Sequence, residues 1–127
     1  MTAKILVVED NPQNRKLVTV ILKDRGYEVV AVADSESAEA ALVEGLPDLI
    51  LMDLGLPGMD GYALTRKLRT RPGTATVPIV AVTSFAMRGD REKALAAGCT
   101  SYLTKPIRAA VLVEEVEAQL ARTRRST

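Results

Sequence analysis

Short apolar runs alternate with longer amphipathic stretches along the whole chain. The runs are rich in Val, Ile and Leu and are too short for helices, whereas apolar residues in the stretches between them recur at helical spacing. This alternation is typical of repeated strand–helix units that build one parallel sheet. The pattern therefore predicts an α/β fold, with strands over 4–9, 28–33, 48–53, 78–83 and 101–104.

Helix boundaries are marked by capping residues. Asn11-Pro12 is an N-cap type followed by the residue that tolerates the first helical position, and Gly26 ends this first helix. Its predicted buried face consists of Leu17, Val20 and Ile21. The other helices are predicted from 34 or 35 to 45, from 60 to about 71, over 87–97 and over 108–122. The residues predicted to face inward on the last helix are Val111, Leu112, Val116 and Leu120.

Length and charge exclude several classes of protein. The 127 residues suffice for one domain, 1–127 with a core of about 2–122, and 17 basic against 16 acidic side chains favour neither nucleic acid nor a membrane surface as partner. No histidine is present, which excludes catalytic triads and histidine-based zinc sites. The single cysteine, Cys99, is predicted to be a buried thiol, and we expect a cytoplasmic location.

Polar residues follow the carboxyl ends of four predicted strands. They are Glu9-Asp10, Asp53, Thr83 and Lys105. Each alone has an ordinary explanation as a cap, a turn residue or a solvated side chain, but in a parallel sheet these strand ends meet where open α/β folds bind ligands. Their joint placement predicts a site.

The residue types at this edge suit a divalent metal and phosphate. Converging carboxylates repel one another unless a cation joins them, and Mg²⁺ needs few protein ligands. We expect Glu9, Asp10, Asp53 and the Gly55 backbone carbonyl to hold Mg²⁺. Asp53 can then act as a nucleophile toward a phosphoryl group.

The other groups at this edge are predicted to hold the phosphorylated product. Lys105 supplies a charge, and Thr83 supplies a hydroxyl donor. The backbone N–H groups of Leu54 and Ser84 are further predicted donors. No residue is an obvious base for activating water, so we expect a long-lived aspartyl phosphate rather than enzymatic turnover.

Four segments carry a family resemblance: 7–11 (VVEDN), 51–61 (LMDLGLPGMDG), 82–84 (VTS) and 103–106 (LTKP). They resemble the signature blocks of the response-regulator receiver domain of two-component signalling, and the resemblance covers about 2–122. It implies a flavodoxin-like fold with strand order 2-1-3-4-5. It also implies that Asp53 accepts phosphate, that Asp10 binds Mg²⁺ directly, and that Glu9 acts largely through water.

The resemblance assigns further roles. Thr83 is the switch hydroxyl, and Tyr102 is the switch aromatic. Taken alone, Tyr102 is predicted to be a half-buried aromatic residue of a strand. The peptide bond before Pro106 is expected to be cis. Gly55 and Phe85 stand at positions where family members vary.

The resemblance also implies partners. A histidine kinase or histidine phosphotransfer protein would donate the phosphoryl group, and dimerisation on phosphorylation is open. The expected donor contacts are Asn14, Arg15, Leu17, Val18, Pro106 and Ile107. A downstream protein would bind the face of the fourth helix, fifth strand and fifth helix, near Arg91, Ala94, Tyr102 and Val111.

Several alternatives stay open at this point. The segment 85–93 is similar both to single-domain receivers of the DivK type and to receivers of hybrid histidine kinases, and Met1 just before the first strand favours the free-standing form. A phosphorylation-independent scaffold is a second alternative. A Mg²⁺-dependent phosphohydrolase of the haloacid-dehalogenase type is disfavoured because Gly55 stands where its second Asp would be. A nucleotide binder lacks GxGxxG and GxxxxGK[ST] after the first strand.

Overall fold

The computed structural model describes residues 2–56, 60–84 and 89–125. Five strands alternate with five helices in this part of the chain. The strands are β1 Lys4–Val8, β2 Glu28–Val32, β3 Leu49–Asp53, β4 Ile79–Thr83 and β5 Ser101–Thr104. The helices are α1 Pro12–Asp24, α2 Ser35–Glu44, α3 Gly61–Arg69, α4 Asp90–Ala97 and α5 Ala109–Arg125.

The strands form one parallel sheet in the order β2-β1-β3-β4-β5. The predicted fold class and strand order are therefore confirmed, and β2 is an edge strand. β3 and β4 are buried at every position, which agrees with a sheet covered on both faces. None of the helices in the described ranges has the length and apolar character required to cross a bilayer.

Strand residues alternate between two cores on opposite faces of the sheet. On β1, Ile5 and Val7 pack toward α1 and α5, whereas Leu6 and Val8 pack toward α2, α3 and α4. The same alternation continues on β3 and β4 because successive strand side chains point to opposite faces. The parity of a strand position thus determines which helical layer it contacts.

Side-chain caps begin three of the helices where the sequence predicts them. Asn11, Asp34 and Asp60 each accept a hydrogen bond from a backbone N–H in the first turn, at 2.7 to 2.9 Å. Helix α3 ends at Arg69, slightly earlier than predicted. The predicted start of the fourth helix at 87 and residue Phe85 lie outside the described residues.

The predicted buried face of α1 is wrong for two of its three residues, because only Ile21 packs against the core. Val18 and Leu22 are buried, whereas Leu17 and Val20 are 46% and 58% exposed. Arg15 lies on the same inward face, where its guanidinium donates to the Glu9 carbonyl at 2.9 Å. Because a basic residue shares the inward face, the hydrophobic pattern alone places the centre of that face incorrectly.

The predicted inward face of α5 needs one correction. Leu112, Val116 and Leu120 are buried as expected, but Val111 is 48% exposed and Val113 is buried instead. Five apolar residues in succession, 109–113, cannot all face the sheet at 3.6 residues per turn. Val111 is therefore a surface residue.

Arg69 fastens the end of α4 to the rest of the structure. Its Nε donates to the Gly98 carbonyl and its Nη1 to the Thr74 carbonyl, both at 2.8 Å. Gly98 has φ +117°, and a β-carbon there would lie 2.6 Å from Cγ of Arg69. Cys99 beside it is buried, as predicted.

We expect Val18→Ala to lower the free energy of unfolding by about 2 kcal/mol because it opens space in the core. Val20→Ala should change it by no more than about 0.5 kcal/mol, since Val20 is exposed and Ala favours helix. Urea denaturation of both variants measures the difference. Equal losses would contradict the observed orientation of α1.

A second pair of variants tests the contact at Gly98. Gly26→Ala should cost about 1 kcal/mol for the left-handed conformation alone, because nothing lies within 4 Å of its new methyl group. Gly98→Ala should cost at least about 1 kcal/mol more, since the methyl group displaces Arg69 and its hydrogen bonds. Urea denaturation provides the comparison, and equal costs would show that the Arg69 contact adds nothing.

Candidate functional site

The carboxyl ends of β1, β3, β4 and β5 surround one cleft of about 210 Å³. The predicted residues Asp10, Asp53, Gly55, Thr83, Ser84 and Lys105 line it. Asn11 and Asn14 of the first helical turn line it as well, although the sequence indicated only capping and docking roles for them. Their position directly after the acidic pair was the available signal.

The sheet ladder continues past the strand ends and orients the functional side chains. The Glu9 N–H donates to the Val32 carbonyl at 3.0 Å, and the Lys105 N–H to the Thr83 carbonyl at 2.8 Å. By the alternation of strand residues, Glu9 and Asp53 belong to the face of the sheet that packs against α1 and α5. Thr83 has the opposite parity, so the hydroxyl enters the cleft from the other face.

Three carboxylates meet at this edge. Oxygens of Glu9, Asp10 and Asp53 all lie within 4.8 Å of one another. Glu9 and Asp53 are buried, whereas Asp10 is exposed. Backbone N–H groups orient the two buried carboxylates: Asn11 donates to Glu9 Oε2 at 3.1 Å and Gly55 to Asp53 Oδ1 at 2.9 Å.

Lys105 supplies the cation that compensates these acids. Its Nζ lies 2.6 Å from Glu9 Oε1 and 3.4 Å from Asp53 Oδ2. Burial alone would lower the pKa of Lys105, but the Glu9 hydrogen bond and the charges of Asp53 and Glu9 outweigh it and raise that pKa. The ammonium group is therefore held in its charged form. The Lys105-Pro106 peptide bond is cis, as expected.

Its surroundings disfavour the charged form of the Asp53 carboxyl group. Burial is the largest cause that raises the pKa of its carboxyl group, and the neighbouring Glu9 raises it further. The Gly55 N–H and Asp10 act in the opposite direction without cancelling these effects. A further positive charge near Asp53 and Glu9 would relieve the repulsion.

The chemistry of the donor set fits a hard divalent cation. Three carboxylates within reach of one point, one of them exposed to incoming solvent, match the oxygen ligands that Mg²⁺ prefers. Gly55 lines the same cleft, and its carbonyl stays a predicted fourth ligand.

One predicted phosphate donor is engaged elsewhere. The Leu54 N–H donates to the Val82 carbonyl at 3.0 Å as part of the sheet ladder. The backbone donor that faces the Asp53 carboxylate is that of Gly55. Ser84 is exposed at the cleft and stays a predicted donor.

Tyr102 is half-buried between the sheet and α4 and belongs to the same face of the sheet as Thr83. Its hydroxyl is buried and has no hydrogen-bond partner among the described residues. Burial raises the pKa of Tyr102, and the charges of Asp90 and Glu92 on α4 add to this shift.

The predicted docking surfaces are only partly exposed. Val18 and Ala94 are buried, so neither can contact a partner, whereas Leu17 is accessible. Pro106 is exposed and Ile107 is half-buried against the α1 and α5 core. The output face retains an exposed Arg91, and Val111 borders a groove of about 360 Å³ beside Tyr102 and Arg108.

Comparison with known proteins decides the family. The model of the response regulator receiver domain matches residues 5–117 of this chain. The chain belongs to this family. Receiver domains are signalling domains of two-component systems rather than classical enzymes, which decides against the phosphohydrolase and the nucleotide binder.

Relatives of this receiver domain differ in length. The response regulator PleD of Caulobacter vibrioides is 41% identical over 118 residues, which are 93% of this chain and 26% of PleD. The chain thus spans about a quarter of that relative. The polar-differentiation response regulator DivK of Brucella ovis is 37% identical over 120 residues, which are 94% of this chain and 98% of DivK.

Solved structures include a similar receiver domain with a metal. The receiver domain of a sensor histidine kinase from Pseudomonas aeruginosa is 40% identical and superposes with a TM-score of 0.87. The match covers 95% of this chain and 99% of that one. That protein has a magnesium ion coordinated in its active site cleft.

The shifted pKa of Asp53 makes the stability of this receiver domain depend on pH. Because the folded state binds this proton more tightly than the unfolded chain, stability is lost as pH rises from the ordinary aspartate pKa of about 3.9 through the raised folded value. In Mg²⁺-free buffer, Asp53→Asn should therefore be more stable than the parent protein at neutral pH. The gain should shrink toward zero as pH falls below about 3.9.

Urea denaturation across this pH range measures the effect, with the exposed Asp24→Asn as the control for the loss of one negative charge. A gain that does not depend on pH, or one matched by Asp24→Asn, would contradict the electrostatic explanation.

Proposed function

We propose that residues 2–122 act as a phosphoryl-accepting switch, with Asp53 as the acceptor. The observation that carries the proposal is the buried Asp53 carboxylate, held between the Gly55 N–H and Lys105 Nζ beside two further acids. Burial and repulsion make this carboxylate poorly stabilised before reaction, and phosphorylation would add oxygens for Lys105 and Thr83, which line the same cleft, to bind.

Magnesium is the proposed cofactor of this reaction. Asp10 and Asp53 would hold it together with the Gly55 carbonyl, and Glu9 would act largely through water. When bound, the ion would neutralise charge on the carboxylates and on the phosphoryl oxygens.

The proposed reaction is a transfer from phosphohistidine. An Asp53 oxygen attacks phosphorus, the P–O bond forms as the P–N bond of the donor breaks, and the donor imidazole leaves with the electron pair. The Gly55 N–H keeps the second carboxylate oxygen in place, so that only one oxygen faces the donor. Lys105, already charged and poised between two carboxylates, can follow the negative charge onto the new phosphoryl group.

The product is proposed to hydrolyse slowly. The chain has no histidine that could activate water. A signal of long duration would follow from this arrangement, because the acyl phosphate is lost only when water attacks without a positioned base.

The proposed partners bind two separate surfaces. A histidine kinase or phosphotransfer protein would approach the cleft past Asn14 and Leu17 of α1 and Pro106 after β5. A downstream protein would bind the α4–β5–α5 face, which exposes Arg91 and Val111. Movement of Thr83 toward phosphate would change this face through Tyr102, which shares its side of the sheet.

Intact-protein mass spectrometry after incubation with acetyl phosphate tests the acceptor. We expect a gain of one phosphoryl group that requires Mg²⁺, persists in Asp24→Asn, and is absent in Asp53→Asn. The physical reason is that Asp53, unlike the equally buried Glu9, lines the cleft, where it has both a backbone donor and a cation in place.

Two results would overturn the proposal. A phosphoryl adduct on Asp53→Asn would show that another residue accepts the group. No adduct on the folded parent protein with saturating Mg²⁺ would instead favour a phosphorylation-independent scaffold.

A further inference from the structure

Arg15 extends from α1 to the turn that carries the acidic pair. Its Nη1 donates to the Glu9 carbonyl at 2.9 Å and to the Asp10 carbonyl at 3.3 Å. One guanidinium nitrogen therefore bridges the main-chain oxygens of both acids. Arg15 is half-buried, and it lies on the inward face of α1 that also includes Val18 and Leu22.

The hydrogen bonds to these two carbonyls restrain the backbone that carries the Glu9 and Asp10 carboxylates. The turn is also held by the Glu9 N–H bond to Val32 and by the Asn11 N–H bond to Glu9 Oε2. The Asp10 side chain, in contrast, is exposed, so packing does not restrict it. The position of its carboxylate therefore depends on the backbone of the turn, and the Arg15 hydrogen bonds to both carbonyls oppose a movement of that backbone away from Asp53.

Repulsion among the carboxylates is a second reason why the turn needs the Arg15 contact. The oxygens of three carboxylates within 4.8 Å repel one another and push the β1–α1 turn away from β3. Lys105 offsets this repulsion from the carboxylate side of the cleft. The Arg15 guanidinium holds the same turn from its backbone side.

We propose that Arg15 is a positioning residue that holds Glu9 and Asp10 in the arrangement required to bind a divalent cation. This inference rests on the proposed function of the acidic cleft as a Mg²⁺ site. It also gives Arg15 a role inside the protein, whereas the sequence suggested a contact with the phosphodonor. Residues that orient metal ligands without touching the metal commonly control affinity.

Isothermal titration calorimetry of Mg²⁺ into the full chain tests the proposal. Arg15→Ala should weaken Mg²⁺ binding by about tenfold, as is usual when a group that orients metal ligands is removed. Arg15→Lys should recover part of this loss, because an ammonium group keeps the charge and can donate to one carbonyl. Asp10→Asn, which removes a proposed ligand, should weaken binding at least as much as Arg15→Ala.

Thr19→Val is the matched control for helix stability. The Thr19 hydroxyl donates to the Arg15 carbonyl at 2.7 Å, so this variant perturbs the same helix without touching the acidic turn. We expect Thr19→Val to leave Mg²⁺ affinity unchanged even if it lowers the free energy of unfolding. All titrations are made well below the temperature at which each variant unfolds.

Hydrogen exchange on the Mg²⁺-free protein supplies a readout that does not involve the metal. The Asn11 amide, which donates to Glu9, should exchange faster in Arg15→Ala than in Thr19→Val or the parent protein. Such a change would locate the effect in the β1–α1 turn.

The outcomes separate this inference from the proposed function. If Asp10→Asn weakens Mg²⁺ binding and Arg15→Ala does not, the cleft binds metal but Arg15 does not position its ligands. If Thr19→Val weakens binding as much as Arg15→Ala, helix stability rather than positioning controls affinity. If the parent protein binds no Mg²⁺, the proposed cofactor fails and this inference fails with it.

Discussion

Repulsion among carboxylates at one edge of the sheet is the constraint that the other residues of the site must offset. Glu9 and Asp53 are buried side by side, which is costly for two like charges unless cations and donors surround them. The parallel sheet meets this requirement because it brings the end of β5, with Lys105, beside the ends of β1 and β3. The strand order is thus required for Lys105 to compensate the carboxylates. The negative charge that remains is what would attract an additional cation.

Much of this architecture could be predicted from local pattern. The strands and the caps at Asn11, Asp34 and Asp60 depend on residue type and short-range spacing, which are visible in any single sequence. The carboxyl ends of parallel strands lie at one edge of the sheet, so the cleft members that follow β1, β3, β4 and β5 could also be predicted.

Other features depend on how elements pack, and a single sequence does not record this. The rotation of α1 follows Arg15 reaching the carbonyls of Glu9 and Asp10, a contact that hydrophobic periodicity assigns to solvent. Ala94 was expected on the output face but is buried against the sheet, because a small side chain lets α4 approach closely. The engagement of the Leu54 N–H with Val82 depends on strand register, which is known only once β3 and β4 are paired.

The alternation of strand residues between two cores has a consequence for how this domain can change over time. Ile5 and Leu6 are adjacent in the chain, yet a substitution of Ile5 changes the packing against α1 and α5. A substitution of Leu6 changes the packing against α2, α3 and α4. The α1 layer and the layer of α2, α3 and α4 can therefore diverge separately, whereas α5 shares a core with α1 and also forms part of the proposed output face. A duplicated copy could therefore change the packing beneath α1 without disturbing that beneath α4, but a substitution on α5 would affect both proposed docking surfaces.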